Sequence, residues 1–338
     1  MCGKSVTGGI SCRPSMGGGE EEWVQNGRGQ QLYTRSFVPA GEGAVSRVVV
    51  FNHGLGDHSG HYLEFFEMLA ASGCAVYTYD MQGHGRSDGS RANCNAWSEL
   101  VEDCRLIIDR ARKVQGLPVG EEEEEGVGAS GRGVERVPFF LAGHSMGALL
   151  SATMALSTPR HYWANGGGVC LTSPAFDIPM NPILRVQKFF GPLISALLPE
   201  AAIVSAVRLE EMTHDVAAIE NMRSDPLNWI GPSKTRIIWE IKKATDWVLD
   251  RLCGWDIPVL AIHGTEDRCT LPTGSTNFIE QVATAPSEKR SVLVEGAFHA
   301  LYEEIRPIRR GVQRILHDFI TAGPAAVHKD THAKVRFH

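Results

Sequence analysis

Val137-Pro138-Phe139-Phe140-Leu141-Ala142-Gly143-His144-Ser145-Met146-Gly147-Ala148-Leu149-Leu150-Ser151-Ala152-Thr153-Met154-Ala155-Leu156 joins a strand pattern directly to a helix pattern. Only the turn Gly143-His144-Ser145-Met146-Gly147 separates them. A serine on such a junction is a candidate nucleophile: the small flanking residues let the backbone turn sharply and leave the hydroxyl exposed in a strained conformation. The same spacing recurs at Gly85-Arg86-Ser87-Asp88-Gly89. Ser87, however, lies several residues past its strand, and no helix follows at once, so it reads as part of a structural loop.

Working outward, short apolar runs alternate with longer helical patterns. Strands are expected at Val48–Asn52, Ala75–Asp80, Val137–Gly143, Gly168–Thr172, Ile257–His263 and Ser291–Glu295. A hairpin precedes them, with Glu22–Gln25 and Gln31–Arg35 around the turn at Asn26-Gly27. Helices are expected near 61–72, 98–114, 146–157, 236–252, 274–285 and 305–321. The strands are almost continuously apolar, as in a parallel sheet covered on both faces, so the class is α/β. Residues 174–234 contain no strand pattern and read as an inserted helical cap. Residues 116–136 read as an acidic, glycine-rich loop insertion, residues 1–20 as a disordered leader and 322–338 as a disordered tail around a domain at 21–321.

The chain has 338 residues, 43% hydrophobic and 21% charged, with a formal net charge of -6. No basic face points to nucleic acid. The eight cysteines have no C-x-x-C spacing, which argues against a zinc or redox motif and for reduced structural thiols. No secretory signal or membrane-spanning run is visible. A cytoplasmic protein with no metal or organic cofactor is the expectation.

A serine hydroxyl needs a base. In an open parallel sheet that base belongs at the carboxyl ends of the strands. His144, His263 and His299 sit there. His144 is bound into the turn, and His263, followed by Gly264, reads as shaping a turn. His299 follows its strand on a flexible loop and is favoured. The orienting acid belongs between serine and histidine in sequence, where the loop after Ile257–His263 offers Glu266 and Asp267; Asp256 lies at the wrong end of the strand. Asp267 is favoured, with Glu266 left open. Amides of Met146 and of Leu55, in Asn52-His53-Gly54-Leu55-Gly56-Asp57-His58, are candidates for an oxyanion hole.

Taken together, these blocks carry a resemblance. His53-Gly54-Leu55-Gly56-Asp57-His58-Ser59-Gly60-His61-Tyr62 resembles a block of monoacylglycerol lipases and lysophospholipase-like serine hydrolases. Tyr79-Asp80-Met81-Gln82-Gly83-His84-Gly85-Arg86-Ser87-Asp88-Gly89, Gly143–Gly147, Asn221–Leu227, His263–Arg268 and Glu295–His299 are similar to further blocks of that family, in its order, over roughly 22–321. The resemblance implies an α/β-hydrolase fold with an inserted cap over an acyl pocket. It also implies Ser145, Asp267 and His299 as catalytic triad, with Leu55 and Met146 as oxyanion donors. Departures from the pattern are Ala148 where many members have glycine, the long insertion, and Cys269, which puts a thiol beside the acid. None of them removes a catalytic group.

Within the cap, Ile183, Val186, Phe190, Leu193 and Leu197 recur at helical spacing, with Phe189 widening the stripe. Phe189, Phe190 and Leu193 are candidate substrate contacts, and the stripe is a candidate for peripheral membrane contact. The expected reaction is hydrolysis of a long-chain lipid ester, most specifically of monoacylglycerol. Lysophospholipids, short esters, thioesters or peptide N-termini are the alternatives, and a non-catalytic binding protein is the rival class. A haloalkane or epoxide hydrolase would carry aspartate at position 145.

Overall fold

The computed structural model describes residues 13–14, 19–40, 44–117, 137–159, 166–179, 191–204 and 208–338. Its centre is a ten-stranded sheet in the order β1-β2-β3-β5-β4-β6-β7-β10-β11-β12. The strands are β1 (Arg13–Pro14), β2 (Glu20–Gln25), β3 (Gln31–Phe37), β4 (Arg47–Asn52), β5 (Cys74–Tyr79), β6 (Phe139–His144), β7 (Gly168–Thr172), β8 (Ala202–Val204), β9 (Ser233–Lys234), β10 (Val259–Gly264), β11 (Lys289–Val294) and β12 (His332–Val335). From β5 to β12 all pairings in the sheet are parallel; the β2–β3 hairpin joins antiparallel at β5.

Strand periodicity divides the core in two. Val48 and Val50 of β4 enter one cluster and Val49 and Phe51 the other; Leu141 and Ala142 of β6 part in the same way. Successive side chains point to opposite faces, and both faces are covered, so the strands read as unbroken apolar runs. Helices α2 (Trp97–Val114), α3 (Met146–Ser157), α5 (Thr235–Leu249) and α6 (Pro272–Gln281) cover one face; α1 (Leu63–Ala71) and α7 (Arg306–Ala322) cover the other. Helix α4 (Val216–Ser224) belongs to the region between β7 and α5.

The fold differs from the expectation at both ends and in the cap. Residues 322–338 are not a disordered tail: after a turn of helix, α8 (Pro324–Val327), β12 pairs in parallel with β11. Ala333 is buried, Arg336 pairs with Glu295, and the Phe337 ring occupies the space beside Gly311. The four residues His332-Ala333-Lys334-Val335, followed by Arg336, carry too little apolar pattern to announce a strand. At the other end Arg13–Pro14 pairs with Glu20–Glu21 inside the expected leader, the rest of which, to residue 18, lies outside the described residues. The cap region holds a short antiparallel pair, β8 with β9, where no strand was expected. Most of the acidic insertion, 118–136, also lies outside the described residues.

Polar contacts tie the cap to the core. Glu200, which pairs with Lys234 Nζ within the cap (2.7 Å), accepts from Ser90 Oγ (2.8 Å) and Asn93 Nδ2 (2.7 Å) of the core. Arg91 donates to the carbonyls of Pro226 and Leu227.

Candidate active site

β6 ends at His144 and α3 begins at Met146, so Ser145 alone makes the turn, at φ 55° and ψ -118°. A positive φ is strained for a side chain with a Cβ, and it persists only where the surroundings enforce it. Here they do. A Cβ on Gly143 would come within 2.4 Å of the Gly147 carbonyl oxygen, and one on Gly147 within 2.1 Å of the Asn52 carbonyl oxygen. The elbow is thus pressed against the end of β4, and both glycines are required by contact. The Ser145 N–H donates to Thr172 O at 2.9 Å, locking the turn to β7. Ala148 is accommodated in the core.

The loop after β11 brings His299 to this serine. Ser145 Oγ lies 3.0 Å from His299 Nε2, and His299 Nδ1 lies 2.7 Å from Asp267 Oδ2. A carboxylate can only accept, so Nδ1 carries the ring proton and Nε2 faces the hydroxyl with its lone pair. Asp267 is buried and well supplied with donors. Its Oδ1 accepts from the amides of Cys269 (2.7 Å) and Thr270 (3.0 Å); its Oδ2 accepts from Thr270 Oγ1 (3.1 Å) and His263 Nε2 (3.0 Å). Burial alone would raise its pKa, but His299 and His263 outweigh burial and hold it well below the usual carboxylate range. Glu266, the alternative acid, is exposed on the same loop.

His263 has a larger part than the sequence suggested. It does not simply shape a turn: fully buried, it bridges Asp267 and Ser275 Oγ (2.7 Å from Nδ1). Its place at the end of β10, four residues before the acid, was the available signal. His144, whose ring lies 4.9 Å from that of His299, is pushed down to about 3 by burial and by His299, so it is a weak proton acceptor. Ser87 takes no part: its hydroxyl bonds the Asp80 carbonyl and accepts from the Tyr33 amide at 2.8 Å.

Neither the Leu55 nor the Met146 amide has a protein acceptor among the described residues, and both residues line a cavity of about 710 Å³ above Ser145. His53 sets the direction of the first. Its Nε2 accepts from the Met81 amide (2.8 Å), so its proton is on Nδ1, which donates to Gly54 O (2.8 Å). The Gly54–Leu55 peptide is trans, so its N–H points away from the carbonyl that His53 holds. Burial lowers the pKa of His53 and keeps it neutral for this bond. The next residue is clamped as well: Gly56 has φ 74°, and its carbonyl accepts from the Trp229 amide at 2.7 Å.

The cavity has an apolar lining, including Ile178, Met212, Met222, Ile238 and Ile241, and a polar wall of Asp57, His61, Asn228 and Glu303. His61 Nδ1 lies 3.2 Å from Asp57 Oδ1 and 3.9 Å from Glu303 Oε1. Burial would raise Asp57, but His61, His53 and His58 bring it down to about 2, whereas burial dominates at Glu303 and lifts it to about 7. Of the expected substrate contacts, Phe189 and Phe190 lie outside the described residues. Leu193 is 57% exposed and is not among the cavity-lining residues: it faces outward, while Ser195 of the same turn is buried. The lining comes instead from 208–212 and 228–231, together with α4 and α5. Cys269 also lines the cavity, 3.4 Å from Met212 Sδ, with its thiol pKa pushed up by burial.

His58, His61 and Asp225 place donor atoms within 4.8 Å of one another, a spacing compatible with a metal. The hydrogen bonds oppose that use. His58 Nδ1 accepts from the Gly60 amide (3.1 Å), which puts the ring proton on Nε2, where it donates to Asp225 (2.9 Å). A ligating histidine has the reverse arrangement.

Residues 43–120 and 124–306 match the family described as Hydrolase_4, serine aminopeptidase, S33. The chain is similar to monoglyceride lipase from Rattus norvegicus, with 25% identity over 297 residues covering 88% of each protein. An uncharacterized abhydrolase domain-containing protein of Dictyostelium discoideum is 27% identical over 275 residues, 81% of this chain; there the chain spans only 26% of the relative's length. A crystal structure of a soluble variant of monoglyceride lipase from Saccharomyces cerevisiae, in complex with a substrate analog, aligns with TM-score 0.72 at 20% identity, covering 94% of this chain and 97% of the other. That likeness is one of fold.

Proposed function

We propose, because the chain belongs to the Hydrolase_4, serine aminopeptidase S33, family, that it is a serine hydrolase of long-chain acyl esters, with monoacylglycerol as substrate. The observation that carries the proposal is the line Ser145–His299–Asp267, at 3.0 and 2.7 Å, beneath a cavity whose lining is largely apolar, with Asp57, His61, Asn228 and Glu303 as a polar wall and Arg208, Glu211 and Arg268 also at its surface. It is supported by the rat relative named monoglyceride lipase.

On this reading the reaction uses these positions as follows. His299 Nε2 takes the Ser145 proton as Oγ attacks the ester carbonyl, and the amides of Leu55 and Met146 receive the oxyanion. Asp267 holds the imidazole in the required tautomer and stabilises its cation. His299 then protonates the departing glycerol oxygen, the acyl group stays on Ser145, and water activated by the same imidazole releases the fatty acid. The acyl chain lies along the apolar lining and the glycerol meets the polar wall.

Leu193, Leu197 and Leu198 are exposed at 57%, 69% and 56% and supply an apolar patch for peripheral contact with a lipid surface. Among the described residues no helix is long and apolar enough to cross a membrane. A second reading, cleavage of an amide from a peptide N-terminus, is favoured by the carboxylates Asp57 and Glu303 in the wall, which suit a substrate amine. The pairing of Asp57 with His61 offsets that charge, and the ester reading is preferred. Hydrolysis rates over monoacylglycerols, lysophospholipids and aminoacyl amides decide between them. The proposal requires long-chain monoacylglycerol to be the best substrate, and faster turnover of aminoacyl amides would replace it with the second reading.

A further inference from the structure

The loop that presents His299 is bonded to the cap through one buried side chain. Glu304 is fully buried, and its carboxylate accepts from both sides of that boundary. From the histidine loop come the amides of Phe298 (2.9 Å to Oε1) and Ile305 (3.1 Å to Oε2). From the cap segment come His214 Nδ1 (2.9 Å to Oε1) and the His214 amide (3.2 Å to Oε2). Further contacts join the same two segments. The His214 and Phe298 rings stack at 3.8 Å, the Ala300 amide donates to Met212 O (2.8 Å), and Thr213 Oγ1 donates to Glu303 O (2.8 Å).

These segments have separate tasks. Leu209, Glu211 and Met212 line the cavity, and Asp215 caps α4, which contributes Met222 to the same lining. Residue 298 immediately precedes the base, in the loop after β11, where Gly296 has φ 76° and there is no regular structure. We infer that Glu304 is a positioning residue: it fixes the cap segment 212–214 and the His299 loop as one body, so that the wall gripping the acyl chain also sets the place of the base. A carboxylate suits this place because every group facing it is a donor. Glutamine would turn an N–H₂ toward two of those donors whichever way it was placed, and alanine would remove the acceptor from all of them and leave only the half-exposed His214 ring free to turn to water. An error of about 1 Å in the place of a catalytic group lowers a rate on the order of 100-fold.

The inference rests on the reading of Ser145 and His299 given above, and the test separates the two. The rate of covalent labelling by a small alkyl fluorophosphonate reports the attack of Ser145 assisted by its base, and it does not depend on a long acyl chain. In Glu304→Gln this rate is expected to fall about 10- to 100-fold, with kcat for monoacylglycerol falling in parallel and KM changing little. In His214→Phe, which keeps the ring stack and the backbone bond but loses the link from Nδ1, a several-fold fall is expected; this variant serves if Glu304→Gln does not fold. Wild-type labelling in a folded Glu304→Gln, or in His214→Phe should that alone fold, overturns the inference, as does a loss confined to KM. Labelling that persists in Ser145→Ala would instead overturn the reading of the nucleophile.

Discussion

Gly85–Gly89 and Gly143–Gly147 have the same spacing of glycine around serine, and the structure gives them opposite uses. Ser145 stands between a strand end and a helix start, its hydroxyl turned to an imidazole 3.0 Å away. Ser87 stands in a loop crossed by backbone bonds, its hydroxyl spent on the Asp80 carbonyl and the Tyr33 amide. Each has an aspartate near it. Asp80 is occupied by the Ser59 amide and hydroxyl and by the Arg86 amide, and among the described contacts no histidine links it to Ser87. The lesson is that the short pattern fixes only a sharp turn; whether the serine is reactive depends on where its hydroxyl finds a partner.

The largest effect should come from exchanging the hydroxyl at the elbow. Ser145→Ala is expected to fold with an unchanged melting temperature and to lose ester turnover by on the order of 10⁴- to 10⁶-fold; turnover near the wild-type rate in purified variant would erase the distinction between the two loops. Next is the elbow glycine. Gly147→Ala drives a Cβ into the Asn52 carbonyl, so kcat should fall about 100-fold along with a lower denaturation midpoint, and steady-state kinetics with urea titration reads both.

A third test sets the open cavity beside Ser145 against the packed loop at Ser87. Asp80 has a full complement of donors, whereas Glu303 lies in the cavity wall and is lifted to about 7 by burial. The folded state therefore keeps a proton that the unfolded chain releases near 4.5. Stability from this group is complete below pH ~4.5 and is lost as pH rises through about 7. Glu303→Gln should remove that loss, gaining on the wild type between pH ~5 and ~8 by at most about 3 kcal/mol. Parallel stability curves for the two proteins over that range would refute the assignment. The smallest effect is expected at the other serine: Ser87→Ala should cost about 1–2 kcal/mol of stability and leave kcat within about twofold.

The sheet and its helices were legible because runs such as Val48–Asn52 and Val169–Thr172 are apolar on both faces, and β6 meets α3 with no loop between. The region lining the cavity was less so. Its cap strands are two or three residues long, and segment 208–212 has no periodicity to read, since its place is fixed by bonds to residues remote in sequence. The stripe at 183–197 drew attention by its apolar spacing, yet Leu193 faces outward. His263 was read as closing its strand and shaping a turn, whereas β10 runs on to Gly264 and the ring bonds Asp267, and a bond to a carboxylate leaves no mark on periodicity. β12 shows the same limit, since Ala333 alone is buried and the pairing supplies the rest.

The bond from the Trp229 amide to the Gly56 carbonyl has a consequence for anyone exchanging parts between relatives. It ties the peptide beside a candidate anion donor to a residue that comes more than a hundred and seventy positions later in the chain. On the proposed function, specificity and rate are for that reason not separable modules: a graft that replaced 208–234 to admit a different acyl chain would also shift the peptide next to the proposed oxyanion donor Leu55. Chimeras that keep the backbone path at Trp229, and with it the amide bond to Gly56 O, should retain turnover, while those that lose it would bind the new substrate and convert it slowly.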